Sequence, residues 1–163
     1  MDELLSGPVR KLAAAVTSGE ITSLQLVSAY LDRINEVNPK LNAVVHLTAE
    51  AALKHARSAD TELKNGRIKG PLHGVPITIK DSLDTTDAVT TWGTKGRAEV
   101  RPGADATCVA RLRDAGAILM GKTNTPEFTL SFETDNLVYG RTNNPYDLAR
   151  TAGGSSGGAA AII

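Results

Sequence analysis

Residues 75–80 read Val-Pro-Ile-Thr-Ile-Lys, with Val75, Ile77 and Ile79 alternating with Pro76, Thr78 and Lys80 at the two-residue period of a strand. Gly70-Pro71 punctuates the chain just before it. The pattern predicts a strand over 75–80 that leaves Lys80 at its C-terminal end. After a loop to about residue 103, Asp105 reads as the cap of a helix running through Val109 and Leu112 to Ala115, with Gly116 as its stop. The apolar run from Ala117 to Met120 reads as a second strand, ending near residue 121. Strand, helix, strand is the βαβ order, so the expected fold is α/β, a mixed sheet flanked by helices.

Upstream the texture is helical. Pro8, then Val9, Leu12, Ala13 and Val16, then Gly19 describe a short helix. Thr22 and Gln25 have the spacing of a capping box, Leu24, Val27, Leu31 and Ile34 form one stripe, and Pro39 is expected to stop that helix. Ala43 to Leu47 reads as a short strand, and Thr48 as the cap of an Ala-rich helix ending near Gly66. Downstream, Thr134 to Ala152 reads as a long ordered loop, of the kind retained for function. One domain is expected, with a helical region at 1–69 and the start of its core at 70–163.

Bulk properties exclude several classes of function. Lys plus Arg and Asp plus Glu both number 18 in 163 residues, so no polyanion or anionic membrane is indicated as a partner. No apolar stretch approaches the ~20 residues that span a bilayer. Met1-Asp2-Glu3 starts the chain acidic, unlike a secretory leader. Cys108, in Thr107-Cys108-Val109-Ala110, reads as a packed thiol on the buried side of a helix. His46 and His55 lack metal-ligand spacing, and neither a metal nor a cofactor is expected. The expected compartment is the cytoplasm.

Two glycine motifs remain. Gly116-Ala117-Ile118-Leu119-Met120-Gly121-Lys122-Thr123 matches the phosphate-loop pattern letter for letter. Its context is inverted, because the intervening residues are a strand, a helix precedes them and Pro126 follows. Lys122 is therefore expected at a strand end on the surface, and nucleotide binding is the weakest of the functional readings. The second motif, Gly153-Gly154-Ser155-Ser156-Gly157-Gly158, leads into the Ala-rich segment 159–163. It reads either as a flexible linker or as a rigid turn that brings backbone amides to a substrate.

Pro71-Leu72-His73-Gly74-Val75-Pro76-Ile77-Thr78-Ile79-Lys80-Asp81, the stretches at 121–128 and 131–158, and the GGSSGG run closely resemble the amidase signature family. The resemblance covers residues 70–163 and matches the N-terminal helices more loosely. It implies that Lys80 is a neutral base and that Ser155, joined through a cis peptide bond, bridges it to a nucleophilic serine. Ser156, Gly153, Gly154 and Asp81 take supporting parts, and Thr129 lines the substrate channel. A neutral Lys needs a pKa brought well below ~10.4 by burial or positive neighbours. A hydroxyl both donates and accepts, so Ser155 can pass a proton on. His73 reads as a loop-shaping residue, since such a relay needs no imidazole.

Ala152 and Ala159 depart from the family's usual Pro and polar residues without removing a catalytic atom. The nucleophile and its oxyanion donors are expected in a second Gly-rich turn beyond this sequence, so the 163 residues alone are expected to be inactive. The implied substrate is a small-molecule amide. A stand-alone amidase is preferred to the A subunit of the tRNA-dependent amidotransferase, because ETDNLVYGRTNNPYD looks like general amidases and the charge is balanced. A non-catalytic scaffold is the remaining alternative. An incomplete sheet with an open edge is expected to self-associate.

Overall fold

The computed structural model describes residues 6–163, so the acidic start Met1-Asp2-Glu3 lies outside the described residues. The elements run α1 (Val9–Thr17), α2 (Ser23–Leu41), β1 (Val44–Leu47), α3 (Ala49–Lys64), β2 (Pro76–Lys80), α4 (Thr107–Asp114), β3 (Ile118–Thr123), β4 (Asn143–Asn144), β5 (Asp147–Thr151) and α5 (Gly157–Ile162). β3 is the centre of a three-stranded sheet, parallel to β2 and antiparallel to β1. The fold is mixed α/β, and the strands expected at 75–80 and 117–121 share one sheet.

The Thr22–Gln25 capping box forms as read, with the Thr22 hydroxyl accepting from the Gln25 amide and the Gln25 side chain accepting from the Thr22 amide. The stripe of α2 packs Val27, Leu31 and Ile34 against Val44, the alanines Ala52, Ala56 and Ala59 of α3, and Ile118 and Met120 of β3. β1 and α3 thus share this core with β3. On the other face of β3, Leu119 packs with Ile79 and Val109. Alternate residues of β3 thus serve opposite layers, and all six of its residues are buried.

Several local expectations are corrected. Pro39 sits inside α2, which continues to Leu41 and ends at left-handed Asn42 (φ 51°). A proline in the last turn disturbs few remaining hydrogen bonds. Thr48 makes no side-chain cap, since its hydroxyl donates instead to the Leu119 carbonyl at 3.0 Å. α4 begins at Thr107 with Ala106 as its cap, while Asp105 accepts from the Thr86 amide at 2.8 Å and pairs with Arg113 at 2.9 Å. Cys108 is exposed, because Val109 takes the inward position and the preceding residue lies about 100° round the helix. Thr134–Ala152 is not all loop and contains the β4–β5 hairpin.

Gly121 explains half of the misleading phosphate-loop match. A Cβ there would collide with the His46 carbonyl oxygen of β1, so glycine at this position permits close strand pairing. Gly121→Ala is expected to lower stability by about 1–3 kcal/mol, the usual cost of overpacking. Gly103→Ala, with nothing within 4 Å of the added carbon, should stay within about 0.5 kcal/mol of the parent. Urea unfolding of the two variants checks the contrast.

Candidate active site

β2 delivers Lys80 to the C-terminal end of the sheet, opposite Thr123 of β3. The chain returns there after β5 through Gly153 (φ 79°), the Gly154-Ser155 peptide bond, which is cis, and Ser156, before entering α5. Across 75 residues of sequence, the Lys80 Nζ donates to the Ser155 Oγ at 2.8 Å, and it also reaches the Ser156 Oγ at 3.1 Å. Partial burial lowers the pKa of the Lys80 amine below the ordinary lysine value. The Gly-rich run is therefore a packed turn rather than a linker. Buried Gly157 and Gly158 lie where a Cβ would meet Thr134 and the backbone of Asn124 and Ala43.

Asp81 and Lys122 form a second cluster behind this one, and both are fully buried. The surface position expected for Lys122 is thereby corrected. Its Nζ donates to the Leu83 carbonyl at 2.7 Å, Thr90 Oγ1 at 2.7 Å and Thr85 Oγ1 at 3.3 Å, with the Asp81 carboxylate 3.6 Å away. Three acceptors and one carboxylate match the three protons and single charge of an ammonium. Burial pulls Lys122 down and pushes Asp81 up, and each group's charge opposes the shift of the other. The Asp81 carboxylate accepts from the Thr91 amide at 3.1 Å and from the Thr91 hydroxyl at 2.5 Å. Asp81 thus fixes the loop after β2 instead of capping the strand, and Lys122 is part of a wall with no opening for a phosphate.

The loop that Asp81 fixes holds Trp92, whose ring meets Phe128 edge-on at 6.3 Å and lies under the Arg97 guanidinium at 4.2 Å. Trp92, Phe128 and Thr129 all have positive φ, at 55°, 50° and 63°. Such conformations persist in non-glycine residues when their surroundings over-determine them. Here the Phe128 amide donates to the Trp92 carbonyl and the Thr129 amide to that of Pro126. Thr129 is half-buried at the rim of this segment. His73 is buried, accepting from the Lys69 amide through Nδ1 and directing Nε2 at the Ala59 carbonyl. That arrangement holds the turn before β2. Among the described residues, no three His, Cys, Asp or Glu side chains cluster as metal ligands, and no helix is long and apolar enough to cross a membrane.

Sequence reasoning misses Thr125 and Thr134, which hold the serine turn, and finds no purpose for the threonines at 85, 90 and 91. No periodic pattern or motif in the sequence marks these threonines.

This geometry defines a lysine–serine–serine cluster carried on an α/β frame. The family model for Amidase matches residues 25–163, and the chain belongs to the amidase family. Over all 163 residues it is 44% identical to the A chain of the glutamyl-tRNA(Gln) amidotransferase of Thermobifida fusca. It is similar in structure to the native peptide amidase from Stenotrophomonas maltophilia, with 38% identity, a TM-score of 0.88 and 97% of this chain covered against 34% of that one. A fatty acid amide hydrolase structure superposes over 99% of this chain and 29% of its own, with a TM-score of 0.94 and 28% identity. The chain spans about a third of the length of these relatives. The match reaches well upstream of residue 70, further than the motifs alone implied.

Two outcomes are expected. Lys122→Ala should cost about 3–5 kcal/mol by leaving Asp81 buried without its cation, whereas Lys122→Met combined with Asp81→Asn should recover much of the loss in urea unfolding. In a titration followed by lysine side-chain NMR, Lys80 should lose its proton at lower pH than an ordinary lysine. Because burial disfavours charged Lys80, stability should rise with pH between its lowered native pKa and its ordinary unfolded pKa. Lys80→Met should flatten that rise.

Proposed function

We propose that these residues carry the proton-relay part of an amide hydrolase, in which Lys80 is the base and Ser155 the bridging hydroxyl. The observation that supports this reading most is the 2.8 Å contact between Lys80 and Ser155. With the amine neutral, Ser155 donates to Lys80 while accepting a proton from the group that attacks the amide carbonyl. Reversal of the same path protonates the departing amine. Ser156, Gly153 and Gly154 shape the turn, Asp81 anchors the loop behind Lys80, and Thr129 lines the approach of a small-molecule amide. The reading places the protein in the cytoplasm, where a single unpaired Cys108 is ordinary, with the open edge of β2 available for association.

A second reading is favoured by the identity to the A chains of amidotransferases, 44% for that of Thermobifida fusca and 45% for that of Chloroflexus aurantiacus. In this reading the amide is that of glutamine and the product is used by a partner protein. Hydrolysis of glutamine in preference to simple aryl and aliphatic amides, together with co-purification of a tRNA-binding partner, would select it.

The 163 residues alone should turn over none of these amides above background, because base and bridge lack an attacking group and its oxyanion donors. Grafted in place of the matching third of the Thermobifida fusca protein, they should support turnover, and Lys80→Ala or Ser155→Ala should reduce it by about 10²–10⁴-fold. Turnover by the 163 residues that vanishes in Lys80→Ala, or a graft indifferent to both substitutions, would overturn the division of roles.

A further inference from the structure

Ser155 lies in a turn with little side-chain mass of its own, since four of the six residues from Gly153 to Gly158 are glycine. Glycine-rich backbone loses the most freedom on ordering, so the position of the Ser155 hydroxyl depends on what holds that backbone from outside. Thr134 is completely buried and spans the turn. Its hydroxyl donates to the Gly153 carbonyl at 2.8 Å, two residues before Ser155, and accepts from the Gly157 amide at 2.9 Å, two residues after it. One oxygen thereby uses its proton on one flank and a lone pair on the other. A methyl in place of that oxygen could do neither.

The fit is close on both sides. A Cβ on Gly157 would collide with the Thr134 hydroxyl, and one on Gly154 would sit 2.8 Å from the Glu133 amide nitrogen. Residues 131–133 are therefore packed backbone to backbone on Gly154, and the Thr134 side chain is packed on Gly157. Thr125 adds a third point, donating to the Ser155 carbonyl at 3.1 Å. Asn136 ties the two threonine segments together through the Thr125 carbonyl at 2.8 Å.

We infer that Thr134 is a positioning residue for the bridging serine, clasping the turn on both sides so that the Ser155 hydroxyl meets the Lys80 amine. The inference rests on the reading of Ser155 as the relay bridge. It distinguishes Thr134 from a residue that merely stabilises the fold, since its hydroxyl rather than its bulk sets the Lys80–Ser155 distance.

The test uses the 163-residue chain with two NMR observables, the nuclear Overhauser contact between the Lys80 ε-methylene and Ser155 β-methylene protons, and hydrogen exchange of the Gly157 amide. Thr134→Val keeps the shape and removes both hydrogen bonds. It should abolish the contact and speed Gly157 exchange about tenfold, the worth of one hydrogen bond. Thr134→Ser should restore both. If the unsubstituted chain shows the contact and Thr134→Val leaves it unchanged, the inference fails and the relay reading stands. If the unsubstituted chain lacks the contact, the relay reading fails and takes the inference with it. Should Thr134→Val fail to fold, the unsubstituted chain decides, because a Gly157 amide exchanging as fast as that of exposed Gly103 would overturn the clasp.

Discussion

An ammonium group sealed from water must be met by acceptors on every proton and by an opposing charge, and the burial of Lys122 imposes that demand on the middle of the sheet. Its acceptors come from Leu83, Thr85 and Thr90, and its counter-charge from Asp81. All four belong to the segment that leaves β2, so the loop from 81 to 91 has little freedom once β3 is in place. Asp81 in turn accepts from Thr91, and the same turn holds the Trp92 ring against Phe128. Lys80 is the residue immediately before Asp81. Its direction is therefore set by a pair of charges that take no part in its own hydrogen bonds.

What can be read from the sequence and what cannot divide along physical lines. The alternation at 75–80 and the apolar run at 117–120 are local signals, and both are strands of one sheet. The glycine-flanked serines are expected at a site because glycine contributes no buried side chain, and the turn they form meets Lys80 at 2.8 Å. Lys122 is misplaced by sequence reasoning because charge in a strand normally signals exposure, and its neutralisation depends on residues 32–41 positions away. Asp105 looks like a helix cap for the same reason that it serves Thr86 and Arg113, since a short carboxylate suits either partner. Thr125 and Thr134 carry no periodic or motif signal, and a threonine's role follows from what its hydroxyl touches.

The two halves of the site are held by different physics. Lys80 is fixed by strand pairing and by an ion pair in the interior. Ser155 is fixed by neutral hydrogen bonds from threonine hydroxyls to the Gly153 and Ser155 carbonyls, and by glycines that allow α5 to pack against Asn124 and Ala43. pH acts on titratable groups, so it should bear on the lysine half more than on the serine half.

The order in which the strands are made differs from the order in which they pair. β3 lies between β1 and β2 yet is synthesised after both, and Asn42 at the end of α2 waits for Tyr139 and Thr142 to complete its hydrogen bonds. At about 5–20 residues per second, the span from Leu47 to Thr123 takes roughly 4–15 s to emerge from a ribosome. During that interval β1 and the apolar faces of α2 and α3 have no central strand to cover them. The nascent chain thus exposes its future core for seconds before it can close, which makes it a natural client for chaperones that shield apolar surface during translation.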